Sequence, residues 1–164
     1  MNQKLFEIRN ATINDSSDIS ELSKELGYPA SELEIRERLN SILNSNNHII
    51  YVAFLSDGKV IAWIHIYEAQ RLESGAFAEI GGLIVSEKFR NKGVGKKLLE
   101  VAEEWTQKKN LPKLRVRSKI EREDAQKFYS SIGFSVSKEQ RVFDKTMNQK
   151  AQPISPGDSR AELL

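Results

Sequence analysis

Apolar positions along the chain alternate between two spacings, and each change of spacing marks an element. Residues 5–11 (LFEIRNA) read as a short strand. Ile19, Leu22 and Leu26 then recur at helical spacing, behind a cap at Thr12 or Asn14, and Gly27 stops that stripe. Ser31 and Glu34 have the spacing of a capping box and open a second helix with Leu33, Leu39, Ile42 and Leu43 turned inward, closed by the polar run 44–47. Two β-rich runs flank Ser56, Asp57, Gly58 and Lys59, and Asp-Gly between such runs predicts a hairpin. Residues 76–85 (AFAEIGGLIV) form a further strand, whose Gly81-Gly82 pair predicts a bulge or a close backbone approach.

From Val94 to about Lys109 the period is helical, with Val94, Leu98, Val101, Ala102 and Trp105 on one face and Asn110 and Pro112 beyond its end. LRVRS at 114–118 is a strand, and Ala125, Phe128, Tyr129 and Ile132 are a second helical stripe stopped by Gly133. Residues 134–147 supply two short final strands. The order β-αα-βββ-α-β-α-ββ implies one mixed α/β sheet with helices on both faces.

Composition narrows the class. A chain of 164 residues suits one domain, expected over 1–147. The remainder, 148–164, is polar with two prolines and no period, and is expected to be a disordered, dispensable tail. Hydrophobic residues at 39% and charged residues at 29% exclude a disordered chain. The net charge of +2 gives no electrostatic footprint for nucleic acid. With no cysteine, a thiolate metal site or cysteine nucleophile is impossible, and two distant histidines give no ligand spacing, so no metal is expected. No apolar run approaches the roughly 18 residues of a membrane span, and no apolar stretch marks a signal peptide, so the expected location is the cytoplasm, without a membrane partner.

The chemistry concentrates in EIGGLIVSEKFRNKGVG, from Glu79 to Gly95. A strand runs into a loop of Arg90, Asn91, Lys92 and Gly93, and a helix opens at once with Val94, Gly95 and Lys96. Glycine allows close backbone approach, and the first N–H groups of a helix have no internal acceptor, so this is an anion cradle. A Walker loop would need glycine and serine or threonine where Arg90 and Lys97 stand, and a dinucleotide fingerprint would need glycine at Leu98. Both patterns fail. What remains is R-x-x-G-x-G between a strand and a helix.

That segment resembles the central motif of the GNAT N-acetyltransferase superfamily, whose (Q/R)-x-x-G-x-(G/A) loop binds the pyrophosphate of acetyl-CoA. The preceding strand AEIGGLIV and the later A-x-x-F-Y-x-x-x-G-F (Ala125, Phe128, Tyr129, Gly133, Phe134) support the resemblance in order and spacing, over roughly residues 5–146. It implies a single-domain GNAT fold with a mostly antiparallel sheet, and transfer of acetyl from acetyl-CoA to a primary amine by direct attack in a ternary complex. A CoA-binding regulatory module without turnover is the alternative, and the presence of both Glu79 and Tyr129 favours the enzyme.

The resemblance also assigns roles. Leu83, Ile84 and Val85 would splay from the next strand and pair with the pantetheine arm, a backbone N–H near Leu83 would meet the acetyl carbonyl, and Arg90 to Lys96 would hold the pyrophosphate. Glu79 would be the general base and Tyr129 the donor to the leaving thiolate. Their alternatives are a polar residue on a solvent face and a core aromatic. Arg122 stands where many members carry an asparagine that touches the CoA arm. Tyr28, Tyr67, Glu68 and Glu73 would line the acceptor side with Glu79, a mixture suited to a cationic amine: an aminoglycoside, a polyamine, an amino acid or a protein N-terminus. Alternation sets His65 beside Trp63 and Tyr67, read as a hydrogen-bonded structural histidine, and His48 is expected at the surface. The alternating signs of RVRSKIERED read as a solvated run. The family's final strands often pair between subunits, which allows a homodimer.

Overall fold

A computed structural model describes residues 5–147. Among these residues, five strands follow chain order across one sheet: β1 (Glu7–Asn10), β2 (His48–Phe54), β3 (Val60–Arg71), β4 (Gly75–Val85) and β5 (Leu114–Arg115). The first four are antiparallel to their neighbours, and β5 is parallel to β4. The helices are α1 (Ser16–Glu25), α2 (Glu32–Leu43), α3 (Val94–Lys108) and α4 (Glu123–Ser131). A parallel neighbour needs a long crossover, and α3 supplies it between β4 and β5.

Strand alternation sorts the side chains into two cores. Ile50, Val52, Val60 and Ile84 pack with Ile19, Leu22, Ile35 and Leu39 of α1 and α2. Ile64, Ile66, Ile80 and Leu83 pack on the other face with Leu98, Ala102 and Trp105 of α3 and with Ala125 and Tyr129 of α4. Helices thus cover both faces, as the element order requires. The capping box forms as read, with Ser31 Oγ accepting from Glu34 N–H and the Glu34 carboxylate accepting from Ser31 N–H. At the hairpin, Asp57 accepts the Lys59 N–H at 2.9 Å and the Leu55 N–H bonds the Lys59 carbonyl.

Three expectations need correction. Leu33 is 65% exposed, because the inward face of α2 is set by Ile35 and Leu39, and two residues further round a helix is the opposite side; Leu43, also expected inward, is 39% exposed as the last residue of α2. The strand at 114–118 is only two residues long. The segment 134–147 forms no strand: its apolar positions Val136, Val142 and Phe143 are exposed, so no packing rewards a ladder there. The expected tail lies outside the described residues.

β4 carries the bulge predicted from its glycines. Ile66 faces Ile80 but His65 faces Gly82, which leaves Gly81 as the extra residue. Both glycines are required by close approach: a Cβ on Gly81 would lie 2.9 Å from His65 Nδ1, and one on Gly82 would lie 2.8 Å from the Trp63 ring. β4 pairs β5 only at Ala78 and Glu79. Among the described residues, it pairs from Ile80 to Val85 with β3 alone, so the sheet is split open on that edge.

Candidate active site

The split begins at Glu79. This carboxylate is buried, 3% exposed, on the sheet face shared with Trp63, His65 and Tyr67. Its Oε1 accepts from Arg117 Nε at 2.5 Å, and its Oε2 accepts from the Tyr67 hydroxyl at 2.9 Å. Arg117 reaches across the opening from just beyond β5. It was hidden in the sequence by the alternating signs of its run. The signal that finds it is the strand period, which sets Lys113, Arg115 and Arg117 on one face beside Glu79.

Tyr67 extends this group to two histidines. His48 stacks on Tyr67 with ring centres 5.5 Å apart, and His48 Nδ1 and His65 Nε2 share a hydrogen bond of 2.9 Å. His48 is therefore half-buried and bonded rather than free at the surface, while His65 is the hydrogen-bonded histidine expected. Burial, and then the neighbouring His48, push the His65 imidazole down to about 4. The folded protein thus favours the neutral ring. That contribution is complete above about pH 6.5 and is lost as pH falls towards 4, at a cost of up to roughly 3 kcal/mol. Urea midpoints should drop between pH 6.5 and 4.5 by a step that His65→Gln lacks. Equal slopes in both proteins would remove the histidine pair from the acid response.

The acceptor residues expected with Glu79 are only partly brought together. Tyr67 touches it. Glu68 has the opposite parity on β3, lies on the α3 face and meets Lys109 Nζ at 3.4 Å, so it is not part of this group. Glu73 stands on the β3–β4 turn with its side chain 71% exposed, 3.9 Å from Arg71. Tyr28 sits half-buried between α1 and α2, its N–H on the Ser23 carbonyl, and the hydrogen bonds that join the Glu79 group do not reach it.

The loop 90–96 has the geometry of an anion cradle. Asn91 has φ +59° and Gly93 has φ +81°, and only glycine adopts the latter without strain as the residue that caps α3. The first helical bond runs from Lys97 N–H to the Gly93 carbonyl, so Val94, Gly95 and Lys96 have N–H groups with no acceptor in the helix. The first turn of this 15-residue helix has no acid to compete for them. Arg90 Nε reaches back to the Val85 carbonyl at 3.3 Å and ties the loop to the end of β4. Lys92 lies over the Phe89 ring, whereas Lys97 is turned to Glu100 along the helix.

Tyr129 packs edge-on against Phe128 and Phe134, with ring centres 5.4 and 5.3 Å away. Its hydroxyl is buried and has no hydrogen-bond partner among the described residues. Burial, partly opposed by Arg122, raises this phenol above its ordinary range. Tyr129 belongs to the core on the sheet face opposite Glu79, and it lines a cavity of about 780 Å³ with Leu114, Val116 and Phe134 that Arg115 and Arg117 also reach. Arg122 occupies the cap of α4 and lies 3.9 Å from Asp124.

These residues fit acetyl-CoA. An orphaned buried hydroxyl, three unbonded helix N–H groups and an unpaired strand edge are the donors and acceptors that a pyrophosphate with a peptide-like arm requires. Among the described residues, no group of three or more metal-binding side chains is found, and no helix is long and apolar enough to cross a membrane.

Comparison with known proteins agrees. The family model described as "Acetyltransferase (GNAT) family" matches residues 16–134. The uncharacterized N-acetyltransferase YhdJ of Bacillus subtilis (strain 168) is 26% identical over 110 residues, covering 65% of this chain and 77% of that protein. Among solved structures, the aminoglycoside antibiotic 6'-N-acetyltransferase AAC(6')-Ih of Acinetobacter baumannii superposes with a TM-score of 0.76 at 16% identity, covering 87% of this chain and 99% of that one. AAC(6')-Iy, solved with the bisubstrate analog CoA-S-monomethyl-acetylneamine, gives a TM-score of 0.77 at 19% identity, with 88% and 100% covered. With the family model spanning most of its length and the whole fold shared with solved acetyltransferases, the chain belongs to the GNAT acetyltransferase family of acetyl-CoA-dependent acyltransferases.

Proposed function

We propose that this protein moves an acetyl group from acetyl-CoA to a primary amine by direct attack while both are bound. The observation that carries this reading is the coincidence of three features along one strand: the unbonded N–H groups of 94–96 after its end, its free edge from Ile80 to Val85, and Glu79 where that edge begins. Main-chain N–H groups of the loop 90–96 hold the pyrophosphate, helped by the charges of Arg90, Lys92 and Lys96. The backbone of Leu83, Ile84 and Val85 pairs with the pantetheine arm. Acetyl-CoA supplies a thioester, an acyl group already activated for attack.

The chain's own task is to manage protons. An alkylammonium has a pKa of about 10.4, so the acceptor must lose a proton before it attacks. Glu79 takes that proton, directly or through a water. Arg117 and Tyr67 occupy one site on each of its oxygens and fix its orientation, and lone pairs remain for a third partner. Tyr129 serves the leaving thiol. Because burial raises its phenol, it stays O–H across neutral pH and can donate. With no cysteine in the chain, no thiol is available to carry the acetyl group on the enzyme.

Tyr129→Phe keeps the ring packing and removes the donor. Turnover should fall about tenfold or more, at least roughly 1.4 kcal/mol at the transition state, with little change in acetyl-CoA affinity. Equal kcat in both proteins, with chemistry rate-limiting, would return Tyr129 to the core. The proposal as a whole is tested by release of CoA from acetyl-CoA against a panel of primary amines. Amine-dependent release is expected, and binding of acetyl-CoA without acetylation of any amine would contradict it.

A further inference from the structure

One side of the Glu79 group is built from cations. Phe77, two residues before Glu79 on the same face of β4, is fully buried, yet among the described residues it belongs to neither hydrophobic core. Three cationic side chains do: the Arg115 guanidinium at 4.4 Å from the ring centre, the Lys113 ammonium at 5.0 Å and the Arg71 guanidinium at 5.5 Å. Lys113, Arg115 and Arg117 alternate along one face at β5, and Arg115 stands opposite Glu79 in the register. Among the described residues, Lys113 and Arg115 have no carboxylate partner. Arg71 has only the exposed Glu73 at 3.9 Å, and Glu79 is already matched to Arg117. Four cations therefore face two carboxylates around the point where the acceptor's amine would be deprotonated.

A single cation over an aromatic face is favourable, but three around one ring repel one another, and an anion among them relieves that repulsion. We infer that the acceptor is a small amine bearing a carboxylate or phosphate, with Arg115, Lys113 and Arg71 holding the anion beside Phe77 while its amine lies at Glu79. This rests on the reading of Glu79 as the group that takes the amine's proton. Two residues of strand span about 6–7 Å, so amine and anion are separated by several bonds. A polyamine or aminoglycoside, cationic throughout, would bring like charge to this patch and is disfavoured. The acidic surface expected from the sequence is replaced by a basic one, because Glu68 turns to the other face and Glu73 to solvent.

The test uses acceptors matched in length. δ-Aminovalerate should be acetylated with kcat/KM at least about tenfold above pentylamine and cadaverine, the factor expected of one charge-assisted contact. Aminoethyl phosphate against ethylamine separates phosphate from carboxylate recognition. Combining Lys113→Gln with Arg115→Gln should collapse the preference to within about threefold. A preference for cadaverine or pentylamine, or an undiminished preference in the double variant, would overturn the inference while leaving amine acetylation intact. Should no amine be acetylated, the transfer reading fails instead. Calorimetry of δ-aminovalerate with the CoA-bound protein then decides the anion site: binding that the double variant loses supports it, and no binding to the wild type overturns it.

Discussion

Glu79→Gln should lower kcat/KM by about 10²–10⁴-fold near neutral pH, the usual contribution of a positioned general base. The substitution keeps the side chain's shape. The amide oxygen can still accept from Arg117, and the amide nitrogen can donate to Tyr67 after the phenol turns round. What is lost is the proton acceptor, and with it the charge opposite Arg117. The deficit should depend on pH. As pH rises towards the pKa of the acceptor, about 10.4 for an alkylamine, more of it arrives already deprotonated and the base matters less. The gap between variant and wild type should therefore narrow from pH 6 to pH 9. A uniform fall of about twofold over that range would leave Glu79 a structural partner of Arg117.

The second large effect is expected at Gly95. This residue is buried in the first turn of α3 and its φ is not positive, so the backbone accepts a side chain there. Gly95→Glu adds a carboxylate at the loop proposed to hold the pyrophosphate. Two unit charges about 4 Å apart at an effective dielectric near 20 repel by about 4 kcal/mol, roughly a thousandfold in affinity. Calorimetry with acetyl-CoA, alongside circular dichroism to establish that the helix persists, measures this. Unchanged affinity in a folded variant would remove the loop 90–96 from the binding site.

What the sequence made legible was local. The Ser31 and Glu34 box, the Asp57-Gly58 hairpin, the bulge at Gly81 and the glycine-capped start of α3 each follow from a few adjacent residues, because turns and caps are decided within one turn of chain. The run of N–H groups at the start of α3 was legible for the same reason. The environment of Glu79 was not, since Arg117 is 38 residues away and joins it only through the parallel register of β4 and β5. Parity along β3 would have separated Glu68 from Tyr67. The pairing of His48 with His65 needed the β2–β3 register, which brings Ile50 opposite His65 and His48 opposite Tyr67. Beyond Phe134, which packs on Tyr129, the segment to 147 has the composition of strands but leaves Val136, Val142 and Phe143 exposed, and composition alone does not reveal that.

In the proposed reaction, acetyl passes from CoA to an amine without resting on the chain. Single-turnover mass spectrometry tests it most directly. Protein in excess is mixed with acetyl-CoA and δ-aminovalerate, and the masses of protein and amine are followed together with free CoA. The mass of the chain should stay constant at every time point, while acetylated amine appears in step with free CoA. An acetylated chain that forms first and then decays into product, or CoA released with no acetylated amine, would contradict it.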